Sequence, residues 1–336
     1  MIVKGQAPPG LYPTINSQPS TLNPLHLLLC GHGYLGQAIS REFLAAGWDV
    51  TALSRNAVVP AASDSGCGIP GLHSPGDGGL PQASPNLHEL TCDLTSASEV
   101  SSLQVRPDFI VHCASSGRGG SDAYRAVYLD GCRHLLDRFP GVALLYTSST
   151  SVYAQTDGSV VTEESPALPD RETGSILREA EDLVLSNGGI ITRLSGIYGP
   201  GRSVILKKFL SGEAVIEEDG RRFLNQIHRD DAAAAIFHLA RLQSTIGNHQ
   251  SSIVNLPLFN LSDSHPLSQL ACYEKLSRHF HHPLPPTGPR DPDRKRGWTH
   301  KQVSNAKLRA TGWEPRFPSF LDAVESIVPT LELPPP

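Results

Sequence analysis

The sequence of 336 residues has no excess of basic residues. Its 28 Lys and Arg stand against 33 Asp and Glu, which gives a formal net charge of -5 and a pI of about 6.3. Proteins that bind nucleic acid or anionic lipid through charge usually carry a basic surface. We therefore predict no nucleic-acid partner and no membrane partner, and we expect a small-molecule substrate.

The sequence also lacks paired cysteines and long apolar runs. Its six cysteines include no C-x-x-C pair and no His spacing typical of zinc sites, so we predict free thiols, a cytoplasmic location and no metal. The mean hydropathy of -0.19 excludes an integral membrane protein. Residues 1–24 hold one Lys and no apolar segment typical of a signal peptide, so we expect a disordered leader rather than secretion.

Glycine and proline, by contrast, are abundant, with 30 and 28 residues. They concentrate in residues 6–24, 57–86 and 281–297, which we predict to be loops or disordered insertions. Between these segments, short apolar runs alternate with segments of helical length. The runs are Leu25–Cys30, Trp48–Leu53, Leu87–Thr91, Phe109–Cys113, Val142–Thr147 and Gly189–Arg193.

Near-continuously apolar strands that alternate with helices indicate a parallel sheet covered by helices on both faces. We predict an α/β protein with a Rossmann-type, doubly wound parallel sheet and a smaller C-terminal substrate lobe. Residues 25–197 would form the dinucleotide-binding domain, interrupted by the insertion at 57–86. Residues 198–330, where the alternation becomes less regular, would form the substrate lobe and complete the sheet.

A glycine-rich turn follows the first apolar run and fits the pattern G-x-G-x-x-G. The first glycine allows a tight turn, the second lets backbone approach a pyrophosphate, and the third lets the helix pack closely on the strand. The start of the helix offers free N–H groups to phosphates. We predict that this turn binds a dinucleotide through Gly31, His32, Gly33, Tyr34, Leu35 and Gly36.

The end of the second run bears on which dinucleotide binds. An Asp or Glu there would bind the ribose hydroxyls of NAD, but the sequence places Ser54 and Arg55 at this point. An arginine can hold a 2′-phosphate, so we predict NADP rather than NAD, the alternative being that Arg55 is a solvated loop residue. Asp93, Ala114 and Ser115 follow the next two runs and are further candidates for cofactor binding.

Three motifs in this order resemble the extended short-chain dehydrogenase/reductase superfamily, specifically its NAD-dependent epimerase/dehydratase group. They are S-S-x-x-V-Y at Ser148–Tyr153, R-x-x-x-x-Y-G-P-G-R at Arg193–Arg202 and N-x-I-H-x-D-D at Asn225–Asp231. The resemblance covers about residues 25–325. In that family a Ser, a Tyr and a Lys four residues after the Tyr transfer a proton beside the nicotinamide.

The resemblance assigns the Ser position to Ser149, but the Tyr and Lys are missing. Aligned with the family's Y-G-x-S-K, the sequence has Thr173 in place of Tyr and Leu177 in place of Lys. None of the eight tyrosines has Lys four residues later, and no Lys occurs between Lys4 and Lys207. This pattern is similar to atypical members of the superfamily that have lost part of the catalytic set.

Several of the remaining candidates have a structural alternative. Tyr153 could replace the missing catalytic Tyr as the acid, or it could be an aromatic residue packed below the site. His228 could transfer protons, or it could stabilise the point where the chain crosses into the smaller lobe. Thr173 could orient a substrate by hydrogen bonding. The motif around Tyr198 places Arg193 and Arg202 where they could bind an anionic substrate group or form structural salt bridges.

Three functions remain open at this stage. The first is an NAD(P)-binding epimerase/dehydratase-like oxidoreductase with a non-standard site, acting on a small polar substrate that is phosphorylated or nucleotide-linked. The second is a non-catalytic NADP-binding sensor or regulatory protein, and the third is a lyase or isomerase in which the cofactor is structural. A homodimer is compatible with each of them.

Overall fold

The computed structural model describes residues 24–55, 86–117, 119–246, 257–290 and 298–333. The predicted leader and the predicted insertion at 57–86 lie almost entirely outside the described residues. Within the described ranges no helix combines the length and apolar character needed to cross a bilayer. The five described cysteines are free thiols.

The strands and helices follow the alternation expected from the sequence. In chain order the strands are β1 (His26–Cys30), β2 (Asp49–Ser54), β3 (Leu87–Thr91), β4 (Phe109–His112), β5 (Ala143–Ser149), β6 (Val160–Val161), β7 (Ile190–Leu194), β8 (Gly196–Tyr198), β9 (Ile216–Glu217), β10 (Phe223–Leu224), β11 (Gln226–His228), β12 (Leu258–Leu261), β13 (Leu267–Ser268), β14 (Thr287–Gly288) and β15 (Gln302–Val303). The helices are α1 (Tyr34–Ala45), α2 (Ala97–Ser101), α3 (Ser121–Tyr124), α4 (Gly131–Arg138), α5 (Glu172–Ser186), α6 (Val204–Leu210), α7 (Arg229–Ile246), α8 (Gln269–Phe280), α9 (Ala306–Arg309) and α10 (Val324–Ile327). A π-helical turn, Arg125–Asp130, joins α3 to α4.

Seven parallel strands form the central sheet in the order β12-β7-β5-β4-β1-β2-β3. After β3 the chain crosses to the opposite side of β1 and adds β4, so the strand order reverses between β1 and β4. Ligands of open α/β sheets bind at the carboxyl ends of strands flanking such a reversal. The predicted fold class is confirmed, and β12 from the C-terminal part completes the sheet.

The sheet is buried because both of its faces carry apolar clusters. Leu27 and Leu29 face one cluster, which includes Phe43 of α1, whereas Leu28 and Cys30 face the other. Side chains alternate between faces along a strand, so the continuously apolar run of β1 serves both clusters. A third cluster holds the smaller C-terminal part together around residues such as Phe209, Tyr273 and Phe320. The domain boundary at residues 197 and 198 stays a prediction.

A buried charged network ties α5 to β5 and β7. The Glu181 carboxylate on α5 accepts hydrogen bonds from Nε and Nη2 of Arg193, Nη2 at 2.6 Å, and from Ser148 Oγ at 2.5 Å. Arg178 also pairs with Glu181, and Arg193 Nη1 donates to Tyr153 Oη at 2.8 Å. Glu181 is fully buried and Arg193 is 3% exposed, so each charge depends on the other.

Replacing Glu181 by Gln should lower the free energy of unfolding by about 3 kcal/mol or more, because Arg193 would remain buried without its counter-ion. Glu179→Gln on the same helix is the matched control, since the Glu179–Arg125 pair lies at the surface. Urea unfolding followed by circular dichroism measures both variants. Equal losses in the two variants would contradict a special role for the buried pair.

His112, the last residue of β4, should make stability dependent on pH. Its ring is fully buried, with Nε2 2.9 Å from the carbonyl oxygen of Val127, and burial lowers its pKa to about 4 from the ordinary 6.5. Below pH 6.5 His112 binds a proton in the unfolded chain, whereas in the folded protein it binds one only near pH 4. His112 therefore contributes stability above pH 6.5 that is lost as the pH falls toward 4, by about 3 kcal/mol.

His112→Gln should accordingly lose about 3 kcal/mol less than the parent protein between pH 7 and pH 4. Urea midpoints at a series of pH values give the comparison. Parallel losses would mean that His112 does not cause the acid sensitivity.

Candidate functional site

A cavity of about 710 Å³ opens at the carboxyl edge of the sheet, where the strand order reverses. Its walls come from the turns after β1, β2, β3 and β4 and from the ends of β5 and β7. The structure brings most of the predicted site residues together there: Gly31, His32, Gly33, Tyr34, Leu35, Gly36, Ser54, Arg55, Asp93, Ala114, Ser115, Ser149, Tyr198 and Arg202 all line it.

Two glycines of the turn after β1 are required by the packing of the protein itself. Gly31 has φ +109°, and a Cβ there would lie 2.5 Å from the backbone N of Ala114. A Cβ on Gly36 would lie 2.0 Å from the carbonyl oxygen of Gly31. Neither position can take a side chain without moving backbone, so α1 starts in direct contact with the ends of β1 and β4.

Gly33 differs because nothing in the protein lies within 4 Å of the position its Cβ would take. It precedes α1 in an extended conformation, and no side chain caps the start of that helix. The first N–H groups of α1 are therefore directed to the cavity edge without side-chain acceptors. An open glycine beside a helix N-terminus fits the close approach of a pyrophosphate.

The turns after β2 and β3 present polar groups at one end of the cavity. Arg55 is exposed, and no carboxylate among the described residues pairs with it. Asp93 Oδ1 accepts hydrogen bonds from the N–H and the hydroxyl of Thr95, both at 2.9 Å. These contacts hold the Asp93 carboxylate in place at the edge of the cavity.

The middle of the cavity contains Ser149 and the α5 residue Leu177. Ser149 Oγ accepts a hydrogen bond from the N–H of Ser151 at 3.2 Å, so its hydroxyl hydrogen can point to a ligand. Leu177 presents an apolar side chain where the resemblance expects a lysine. Thr173, one turn earlier on α5, is partly exposed and does not line the cavity.

Tyr153, Arg193 and His228 also lie outside the cavity lining. Arg193 is held by Glu181, and Tyr153 Oη lies 2.9 Å from Oδ1 of Asn260. His228 packs against Phe317 with ring centroids 4.3 Å apart, and burial lowers its pKa to about 4. These surroundings correspond to the structural alternatives given above, and the catalytic or substrate-binding roles of these residues stay predictions.

Two tyrosines that the sequence reasoning missed do line the cavity. Tyr124 ends α3 and Tyr128 lies in the π-helical turn, and their rings meet edge to face at 5.0 Å. Tyr128 Oη accepts a hydrogen bond from the N–H of Ser116 at 3.3 Å. Their i, i+4 spacing after β4 was the available sequence signal, because that spacing places two side chains on one helix face.

The chain belongs to the NAD-dependent epimerase/dehydratase family, whose profile matches residues 27–256. This family consists of enzymes that act on small molecules, and membership supports a nicotinamide dinucleotide as cofactor. None of the curated proteins compared with the chain matches it.

Solved structures agree with this assignment of the fold. A provisionally named NAD-dependent epimerase/dehydratase from Methylobacillus flagellatus is 25% identical, with a TM-score of 0.68 over 91% of this chain and 98% of that chain. The human epimerase family protein SDR39U1 with NADPH is 17% identical, with a TM-score of 0.67 over 91% and 100%. dTDP-glucose 4,6-dehydratase from Bacillus anthracis in complex with NAD is 16% identical, with a TM-score of 0.67 over 91% and 96%.

The contrast between Gly33 and Gly36 gives a direct test of the cradle. Gly33→Ala should leave the unfolding midpoint nearly unchanged, since its Cβ meets no protein atom, but should weaken NADPH binding at least tenfold. Gly36→Ala should instead lower the unfolding midpoint, because its Cβ would collide with Gly31. Thermal unfolding and fluorescence titration with NADPH measure the two effects. If Gly33→Ala bound NADPH as tightly as the parent protein, the proposal that the pyrophosphate binds at this turn would be wrong.

Proposed function

We propose that the protein is an NADP-dependent oxidoreductase or epimerase-like enzyme that acts on a small polar substrate. The observation that carries the proposal is the shared cavity: the open glycine Gly33 and the available hydroxyl of Ser149 face the same space. A dinucleotide lying on the glycine turn would share that space with a substrate bound at Ser149.

The assignment of NADP as the cofactor rests on the positive charge of Arg55. In our assignment Ser54 and Arg55 hold the 2′-phosphate of NADP, the glycine turn holds the pyrophosphate, and Asp93 binds at the adenosine end. Arg55 suits this role because it faces the cavity and has no carboxylate partner among the described residues.

When bound, the nicotinamide supplies the ability to give or take a hydride. The chain must then orient the substrate oxygen and supply or remove its proton. Ser149 orients that oxygen through its hydroxyl hydrogen. We assign Tyr128 as the residue that supplies or removes this proton. Its oxygen accepts a hydrogen bond from the N–H of Ser116, and no acceptor among the described residues takes its hydroxyl hydrogen.

The part of the cavity wall formed by Arg202 is suited to an anionic substrate group. Arg202 lines the cavity, is exposed, and lies over the ring of Tyr34 at 5.2 Å. A guanidinium in this setting binds a phosphate or carboxylate readily. Arg202 is therefore our candidate for recognition of a phosphorylated or nucleotide-linked substrate.

A second candidate function is a sensor that binds NADP without turning it over. The observation in its favour is Leu177, an apolar residue in the position where the family's lysine is expected. No lysine lines the cavity among the described residues, so the cation that normally assists the catalytic Tyr is missing.

Titration with NADPH and NADH, followed by thermal-shift screening of metabolites on the NADPH-saturated protein, tests both functions. For a compound that changes NADPH absorbance, Ser149→Ala and Tyr128→Phe should retain NADPH affinity and lose turnover by about 100-fold or more. Tyr273→Phe, in the smaller lobe, is the matched control. NADPH binding without turnover of any compound would favour the sensor, and the absence of dinucleotide binding would refute both functions.

A further inference from the structure

Two neighbouring amide side chains at the start of β11 differ in their hydrogen bonds. Asn225, which precedes β11, donates from Nδ2 to the carbonyl oxygen of Lys301 at 2.9 Å and accepts at Oδ1 from the N–H of Val303 at 2.8 Å. Gln226, the first residue of β11, lines the cavity, and its amide hydrogen-bonds with none of the described residues. The Asn225 amide is therefore structural, whereas the Gln226 amide is available to a ligand.

The neighbouring strand leaves room for the Gln226 side chain. In the parallel pair of β8 and β11, Gln226 is in register with Gly196. Glycine has no side chain, so the partner residue on β8 does not cover the amide. Gln226 is accordingly partly exposed, although Ile227, the next residue, is buried in the core.

The strand register places Gln226 near the residue that we assign to the substrate. Ser149 at the end of β5 is in register with Leu194, the last residue of β7. The chain then continues to Gly196, which is the partner of Gln226. Ser149 and Gln226 line the same cavity. Hydride transfer to or from a substrate held by Ser149 requires a nicotinamide ring in this part of the cavity.

A nicotinamide ring brings one further polar group into the cavity. Its carboxamide is attached to the carbon next to the one that exchanges hydride, and it loses hydrogen bonds to water on binding. The two backbone N–H groups directly after β7 do not replace them, because both are already used. Ser195 donates to the carbonyl oxygen of Leu261 at 2.9 Å, and Gly196 donates to that of Asn225 at 3.1 Å.

We propose that the side-chain amide of Gln226 binds the carboxamide of the nicotinamide. The inference rests on the proposed function, since it concerns the cofactor of that same cavity. Two amides match in both roles, because each offers a donor and an acceptor, whereas Ser151 in the same lining offers a single hydroxyl. A pair of hydrogen bonds at one edge of the ring would also fix its rotation relative to Ser149.

Isothermal titration calorimetry with dinucleotides that differ only in this group tests the inference. NADP carries the carboxamide. Its 3-acetylpyridine analogue keeps the oxygen but lacks the N–H groups, and nicotinic acid adenine dinucleotide phosphate carries a carboxylate instead. The parent protein should bind NADP about tenfold more tightly than the acetylpyridine analogue, because the Gln226 oxygen would face a methyl group in the analogue.

Gln226→Leu should weaken the binding of NADP about tenfold and that of the acetylpyridine analogue by less than about threefold, so the preference disappears. Gln226→Lys should bind nicotinic acid adenine dinucleotide phosphate more tightly than NADP, since an ammonium pairs with a carboxylate. The ratio of two dissociation constants within one variant does not depend on how stable that variant is. Gln104→Leu, at an exposed position outside the cavity lining, is the matched control and should keep the parent ratios.

Three outcomes would overturn the inference alone. The first is a parent protein that does not distinguish NADP from the acetylpyridine analogue. The second is equal weakening of both by Gln226→Leu, which would indicate a structural role for the side chain. The third is unchanged binding of both by that variant, which would assign the amide to a substrate or to solvent. If the parent protein bound none of the three dinucleotides, the proposed function would fall together with this inference.

Discussion

The candidate site depends on one close backbone contact, between the start of α1 and the ends of β1 and β4. Gly36 touches the carbonyl of Gly31, and Gly31 touches Ala114, at distances that exclude any side chain. This contact aims the start of α1 at the point where the strand order reverses. The open position at Gly33 follows from it, because the turn must pass over the strand ends before the helix begins.

The buried network around Glu181 supports the opposite wall in a comparable way. Ser148 and Arg193 are the next-to-last residues of β5 and β7, and both bind the same carboxylate on α5. The network therefore holds the end of β5, and with it Ser149, against α5. Arg193 is held by Glu181 and does not line the cavity, and its role in substrate binding stays a prediction.

The cavity combines the glycine turn after β1 with a wall that has no lysine among the described residues. Leu177 is an apolar side chain where the family has a cation, yet Ser149, Ser151 and Tyr128 also line the cavity and offer hydroxyl groups. Such a wall can orient a polar substrate by hydrogen bonds without a fixed positive charge. Positive charge is supplied instead by Arg55 and Arg202, which also line the cavity.

The sequence by itself determined six of the seven strands of the sheet, the glycine turn and the absence of the Tyr and Lys pair. Apolar periodicity and glycine spacing are local patterns, so the run Leu25–Cys30 predicts β1 to within one residue. Only the tertiary structure decided that Tyr153 and Arg193 lie beneath the cavity and that Tyr128 and Gln226 line it. The reason is physical: burial and ion pairing depend on which distant segments meet, and neighbouring residues do not encode that.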